Sequence, residues 1–350
     1  MKIAIEIDWQ RRRFTMPRER IQLVDRIGYD MVFSAESNGS DGISVLGYVL
    51  GITERIGVGT RIAQTVARTP AATAMAYLTL KHMAPERTVI AGIGSSNPRQ
   101  TEGWHGFPWD PPHGRMQDYV TLMRQAFNGQ PLSIEGKTIN VPYHEPGQPA
   151  KWPPNVPILE PEPDIPIMFG GGTELMTTLA AEIADGILPN GSWSPGMMKV
   201  YRPMIEKGFA RRKNPPKIED FPLWAHVDVL LTDDVKAAIW QFKEYTARYA
   251  GGWFGKGGLA THMEWRGYGE ALARIQELYQ AGRIKEAEAA VPDEYVDECW
   301  LLGPMERILE RWRTRWINDG CNLIVRTDNW PSARPAGNEV YEPLLKALLD

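Results

Sequence analysis

The feature that most restricts this chain is a rhythm. Short β-prone apolar runs alternate with helical patterns from the first residues onward. Lys2–Ile7 alternates as a strand, and Pro17–Arg26 places Ile21 and Val24 at helical spacing. Met31–Ala35 is strand-like after Gly28-Tyr29. Ile43–Ile52 is helical, and Ile56–Ile62 and Thr88–Ile93 are a third and a fourth strand. Between the last two, Thr69-Pro70 sets a cap residue before a proline at the first helical position. Ala71, Ala74, Met75 and Leu78 then fall on one helical face. Strands that recur every ~30 residues with a helix between them must pair in parallel, because the crossover returns the chain to the same edge.

The second half keeps the rhythm with two interruptions. Residues 128–164 hold one plausible hairpin, Pro131–Val141, and then a path through eight prolines from Pro142 to Pro163. Repeated loss of backbone donors marks it as irregular. Order resumes with Ile165–Phe169 (strand), Glu174–Ala184 (helix), Gly186–Pro189 (strand) and Met197–Lys213 (helix). Leu223–Leu231 is a strand and Asp234–Tyr249 a helix. A glycine-rich and aromatic stretch, 250–302, precedes a helix carrying Met305, Ile308, Leu309, Trp312 and Trp316 on one face. Leu323–Val325 completes eight strands, and Glu339–Leu349 closes the chain. The expected fold is a single α/β domain over 1–350, a (β/α)₈ TIM barrel with insertions after strand 4 (128–164) and after helix 7 (250–302). A doubly wound open sheet is the runner-up.

Composition narrows the function. With 350 residues, 43% hydrophobic and 23% charged, disorder and coiled coil are excluded as the main architecture. A net charge of −4 with no long basic run gives no footprint for nucleic acid. No run approaches the length of a membrane span. Cys299 and Cys321 cannot form a disulfide framework, and the opening Met1-Lys2-Ile3-Ala4-Ile5 lacks a signal-peptide cleavage site, so a cytoplasmic protein is expected.

In a barrel the chemistry lies just beyond the strand ends. Those positions hold Glu6, Asp8 and Trp9; Ser34, Glu36 and Asp41; Arg61 and Ile62; Ser95, Ser96 and Asn97; and Gly170-Gly171-Gly172-Thr173. Three glycines entering a helix let backbone amides approach an anion, although a tight βα turn needs glycine for geometry alone. Glu6, Glu36 and Asp41 are candidates for acid–base work, or partners of Arg61 or Arg68 at the same rim. Gly92-x-Gly94 is not a dinucleotide fingerprint, since Asn97 stands at the third glycine and the segment follows the fourth strand. Six scattered histidines give no metal spacing, and neither Gly-x-Ser-x-Gly nor a Walker loop is present. Trp104, Trp109, Trp193 and Trp253 could stack on a planar ligand, but core or interface duty explains each one singly.

Thr60-Arg61-Ile62 followed by Ala67-Arg68-Thr69-Pro70-Ala71-Ala72-Thr73-Ala74 resembles the strand 3–helix 3 signature of the bacterial luciferase-like superfamily. Ala91-Gly92-Ile93-Gly94-Ser95-Ser96 and Ile165–Gly172 with Ala180–Gly186 are similar to two further units of it. Ile5-Glu6 and Leu301-Leu302-Gly303-Pro304 resemble the deazaflavin-dependent branch typified by methylenetetrahydromethanopterin reductase. The resemblance implies coenzyme F-420, an 8-hydroxy-5-deazaflavin, bound at the barrel mouth, with FMN as the alternative. It implies a non-prolyl cis peptide at Arg61–Ile62 against the ring. Gly170, Gly171, Gly172 and Thr173 would hold the phosphate or ribityl region, Ser95, Ser96 and Asn97 the other side, and Ser34 would join the cofactor contacts. Glu6 matches the glutamate that faces the acceptor in the pterin-reducing branch. The family's Asp-His pair after strand 2 is replaced by Ala35-Glu36, so that histidine's chemistry does not carry over.

The expected activity is hydride transfer between deazaflavin and a small organic acceptor, with Glu6 and then Glu36 as catalytic groups and a homodimer as the assembly. The rivals are a reduced-FMN-dependent monooxygenase on the same barrel and a non-catalytic flavin-binding protein.

Overall fold

The computed structural model describes residues 1–8, 13–109, 112–189, 193–252, 258–327 and 337–350. Expected Trp9 and Trp253 lie outside the described residues.

The alternating run at the start forms β1 (Ile3–Ile7), and α1 (Arg18–Ile27) follows it, ended by Gly28 at φ 116. That left-handed conformation is open to glycine at little cost. β2 (Met31–Ser34), α2 (Gly42–Ile52) and β3 (Gly57–Thr60) continue. The expected strand Ile56–Ile62 is broken in two. Arg61 and Ile62, joined by a cis peptide bond, separate β3 from β4 (Ala63–Gln64), which pairs with β5 (Val89–Gly94). Between them runs α3 (Pro70–Met83), capped by the Thr69 hydroxyl on the Ala72 amide at 3.2 Å.

Two helices unassigned from the sequence follow, α4 (Pro98–Gly103) and α5 (Pro112–Phe127). Within 128–164 the hairpin is reduced to β6 (Ile134–Glu135) against β7 (Asn140–Val141). Then come β8 (Ile167–Gly171), α6 (Glu174–Ile183), β9 (Gly186–Pro189), α7 (Met198–Phe209), β10 (Trp224–Leu231) and α8 (Val235–Gly251). The stretch after α8 is helical: α9 (Leu259–Trp265), α10 (Gly269–Gln280), α11 (Ile284–Ala289) and α12 (Asp293–Cys299). A short β11 (Leu301–Gly303) extends β10 sideways, and α13 (Met305–Arg311) runs into one wider π turn before β12 (Asn322–Arg326) and α14 (Tyr341–Leu349).

The main sheet is parallel, in the order β11-β10-β12-β1-β2-β3-β5-β8-β9. It curls until β9 returns beside β10 through the parallel bridge Ile187–Leu223. The two faces of each strand differ in what they bury. Ile3, Ile5, Ile7, Val32 and Val58 pack in the cluster that includes the helices, whereas Ala4, Met31, Phe33, Ile90, Met168, Leu188, Trp224 and Ile324 form a separate apolar plug on the other face. Phe33 and Trp224 meet there edge to face, their ring centroids 5.2 Å apart.

A third apolar cluster gathers Phe242, Met263, Leu272, Ile275, Tyr295 and Trp300, so the helices from α8 to α12 share a core of their own. No described helix is long and apolar enough to cross a membrane.

Candidate active site

Two residues further along the strands that carry the plug, the same face turns from apolar to charged. Ala4 is followed by Glu6, Trp224 by His226 and Asp228, and Ile324 by Arg326. The period of two fixes this: what points inward at one position points inward again at the next but one. All four are buried or nearly so, and with Arg61 they form a connected set. The Arg61 guanidinium donates to Glu6 at 3.0 Å, to the Pro189 carbonyl at 2.7 Å and to Nδ1 of His226 at 2.5 Å. Arg326 grips Asp228 with two hydrogen bonds of 2.8 Å and lies 4.0 Å from Glu6. The Trp300 indole donates to Asp228 at 3.2 Å.

Burial and the adjacent guanidiniums push the His226 imidazole well below its usual range, so it accepts from Arg61 as the neutral ring. Burial also lowers Arg61. On Arg326 burial works in the same direction, but the Asp228 and Glu6 carboxylates outweigh it and raise the group.

Above this set opens a cavity of about 530 Å³. Its wall includes Glu6, Glu36, Arg61, Ile62, Ser95, Ser96, Asn97, Gly170, Gly172 and Thr173. Of the residues expected to hold a cofactor, Ser34 and Gly171 are absent from that wall. The Ser34 hydroxyl is turned to the Gly42 carbonyl at 2.7 Å, and a Cβ on Gly171 would meet Ile187 and Thr177 at 3.2 and 3.3 Å.

Sequence reasoning left out several wall residues: Gln100, Met176, Leu188, Pro189, Tyr245, Tyr249, Leu259 and Arg326. The two tyrosines stack at 4.4 Å and are the aromatic rings of the wall among the described residues. Among the described residues no tryptophan lines the wall. Trp104 is exposed, and Trp193 is buried with its indole on Asp319 at 2.6 Å.

The cavity floor is shaped by what is missing from glycine. A Cβ on Gly94 would stand 2.9 Å from the Ile62 side chain, and one on Gly170 would stand 3.1 Å from it. Ile62 therefore rests between two positions that tolerate little beyond hydrogen. Gly92 is tighter still, with a Cβ 1.8 Å from the Thr60 carbonyl oxygen. At one end, the glycines of β8 lead to Thr173, whose hydroxyl caps α6 on the Met176 amide at 3.3 Å. The first-turn amides of that helix form a natural anion seat.

At the other end, Ser96 adopts φ 62, a left-handed conformation a non-glycine residue rarely takes without a reason. Its hydroxyl donates to Gln64 at 2.6 Å, and Gln64 in turn donates to the Ser37 carbonyl at 2.9 Å. Asn97 spends its side-chain oxygen on capping α4 through the Gln100 amide at 3.1 Å.

Glu36 accepts from the Gln64 amide at 2.9 Å and lies 3.6 Å from Arg68. Arg68 also pairs with Asp41. Burial raises the Glu36 carboxyl above its ordinary range. No described group of histidines, cysteines and carboxylates could hold a metal ion.

Comparison with known proteins places this geometry. A family model described as luciferase-like monooxygenase matches residues 9–322. A Mycobacterium tuberculosis protein, by name a coenzyme F-420-dependent oxidoreductase, is 33% identical over 333 residues, 93% of this chain and 95% of that one. The 5,10-methylenetetrahydromethanopterin reductase of Archaeoglobus fulgidus is 25% identical over 297 residues, 83% of each.

Among solved structures, the coenzyme F-420-dependent tetrahydromethanopterin reductase of Methanopyrus kandleri superposes with TM-score 0.75 at 20% identity, over 99% of this chain and 98% of that one. An F-420-dependent secondary alcohol dehydrogenase gives TM-score 0.71 at 15% identity, over 100% and 99%. At those identities the two structures bear on the fold alone. The chain belongs to the luciferase-like family, and the relatives it matches include members named for coenzyme F-420.

Proposed function

We propose that this chain is a coenzyme F-420-dependent oxidoreductase that moves a hydride between the deazaflavin and a small organic acceptor. The observation that carries the reading is one cavity whose wall joins Arg61 and Ile62, Ser95, Ser96 and Asn97, and Gly170, Gly172 and Thr173 from three strand ends. A concave pocket of about 530 Å³ with a few converging polar groups suits a planar tricycle. The residues present fit the group. Arg61, Ile62, Ser95, Ser96 and Asn97 would line the ring, and Gly170, Gly172 and Thr173 would hold the phosphate or ribityl end at the start of α6. When bound, a 5-deazaflavin supplies two-electron hydride chemistry at C5.

The chain's own residues do the rest. Tyr245, Tyr249 and Leu259 give the cavity an aromatic and apolar side against which a ring would pack. Arg61 at 3.0 Å and Arg326 at 4.0 Å position the Glu6 carboxylate in the wall, where it would orient the acceptor. Glu36 is the second functional carboxyl.

The architecture is read as a closed (β/α)₈ barrel, one domain over 1–350 with insertions at 128–164 and 250–302. The buried free thiols Cys299 and Cys321 support a cytoplasmic setting. The assembly is read as a homodimer, in which a second copy would cover exposed apolar side chains such as Met75, Met83, Trp152 and Ile158.

The test is to titrate the purified protein in parallel with oxidised F-420 and FMN, following tryptophan quenching. The expected outcome is saturable quenching by F-420 at least tenfold tighter than by FMN. Tighter FMN binding, with oxygen consumption once a reductase is added, would replace this reading with the monooxygenase. Binding without redox change under any donor would leave a flavin-binding barrel.

A further inference from the structure

One side of the cavity is aromatic and holds none of the residues expected to bind the cofactor. Tyr245 and Tyr249 stand one turn apart on α8, so both rings come from the same face of that helix. Their centroids are 4.4 Å apart, with 39° between the planes. Tyr245 also meets Trp300 edge to face, at 6.4 Å and 89°. Trp300 is buried, packs on Phe242 at 4.7 Å and donates its indole proton to Asp228 at 3.2 Å. The tyrosine pair is thus held by a fixed ring.

The same tryptophan ties these rings to the charged set. Asp228 is gripped by Arg326, which lies 4.0 Å from Glu6. Three carboxylates, Glu6, Asp8 and Asp228, stand here with two guanidiniums, Arg61 and Arg326. Arg61 is engaged with Glu6, Pro189 and His226, and Arg326 with Asp228. An incoming anion would therefore meet net negative charge and donors already in use. A carboxylate only accepts hydrogen bonds, so what Glu6 can hold is an N–H or an O–H.

We propose, resting on the hydride-transfer reading above, that Tyr245 and Tyr249 are specificity-determining residues. They stack the planar ring of an acceptor that bears no negative charge and turns an N–H or O–H donor toward Glu6. Deazaflavin and acceptor then draw on different elements. The residues expected for the cofactor stand at the ends of β3, β5 and β8, whereas the tyrosines pack on the core shared by α8 to α12. A third ring placed offset or edge-on against such a pair gains beyond the area it covers. Burial raises the Tyr245 phenol, so that ring presents a neutral face.

The experiment measures the binding of three probes to the full-length protein by saturation-transfer NMR, with oxidised F-420 present and absent. The ketone 4-aminoacetophenone carries a ring, a carbonyl and an N–H donor. In 4-acetylbenzoate an anion replaces the donor, and 4-hydroxy-2-butanone keeps carbonyl and donor without the ring. The first is expected to bind, and each of the others to bind about tenfold more weakly. Tyr249→Leu weakens 4-aminoacetophenone about fivefold, and Tyr249→Phe, which keeps the ring, restores it.

Equal affinity for all three probes, no binding by any of them, or a Tyr249→Leu protein that keeps the parent's affinity overturns the proposal. Displacement of 4-aminoacetophenone by F-420 does so too, because it would put both molecules in one place. An equal loss of F-420 affinity in Tyr249→Leu would show that the tyrosine serves the whole cavity, and counts against it as well. The three-probe comparison on the parent protein decides the matter even where Tyr249→Leu does not fold. Failure of F-420 itself to bind defeats the cofactor reading, and the probe series on cofactor-free protein still judges the tyrosine wall.

Discussion

At the scale of single residues, the buried charges and imidazoles could be named from the sequence but not interpreted from it. His262 illustrates the gap. It sits on α9 with Nε2 3.2 Å from the Ser194 hydroxyl and Nδ1 3.0 Å from the Tyr295 hydroxyl, and burial pushes it down to about 3. Scattered histidines without metal spacing said only that no motif was present.

The structure makes this one a neutral hinge pin between the helical layer and the loop before α7. Its linkage has a definite sign. Unfolded, the ring takes a proton near pH 6.5, whereas the folded ring refuses it until about pH 3. The unfolded state therefore binds more protons below pH 6.5, and stability falls as pH drops through that window. The contribution is complete above about pH 7 and amounts to a loss of about 2 kcal/mol by about pH 5. Urea unfolding at the two pH values should show the wild type losing that much more than His262→Gln. Equal losses would mean that the ring is protonated in the native state.

At the scale of elements, Glu6 was legible because β1 is short, alternating and close to the chain start. Arg326 was missed because the eighth strand was expected to stop at Val325, one residue early. His226 and Asp228 were passed over inside a run that reads as an apolar strand, although their period of two with Trp224 was a usable signal. The break after Thr60 is a second case. Local β propensity continues through Ile62, but the chain bulges there and leaves β3.

The glycines around that bulge make an element-scale prediction. Gly92→Ala would place a Cβ 1.8 Å from the Thr60 carbonyl, and backbone must move to admit it. A loss of about 3 kcal/mol is expected. Gly51→Ala in α2 meets nothing within 4 Å and should instead gain about 0.5–1 kcal/mol. Thermal unfolding of the two variants tests the pair of signs. A Gly92→Ala protein as stable as the parent would show that β3 and β5 are not held as closely as described.

At the scale of the whole molecule, three apolar assemblies divide the work: a plug inside the curl, a shell between sheet and helices, and a core shared by α8 to α12. The last brings Tyr245, Tyr249 and Leu259 to the cavity, which no motif announced. The exposed Trp152 and Ile158 in the proline-rich stretch, with Met75 and Met83 on α3, remain without cover. If that surface is buried between two copies, sedimentation equilibrium will give about twice the 39.4 kDa chain mass. A single-chain mass at micromolar protein would remove the dimer.

The order of strands and helices, the switch from apolar to charged along the inward face, and the glycines at the turns are local properties. Periodicity, propensity and steric freedom act over a few residues, so the sequence by itself determined them. Which carboxylate meets which guanidinium was decided by tertiary structure. Glu6 on β1, Arg61 after β3, His226 and Asp228 on β10 and Arg326 on β12 come from distant parts of the chain, and the folded sheet brings them within hydrogen-bond reach. The depth at which that happens then sets which groups keep their charge, because burial penalises a charge that finds no partner.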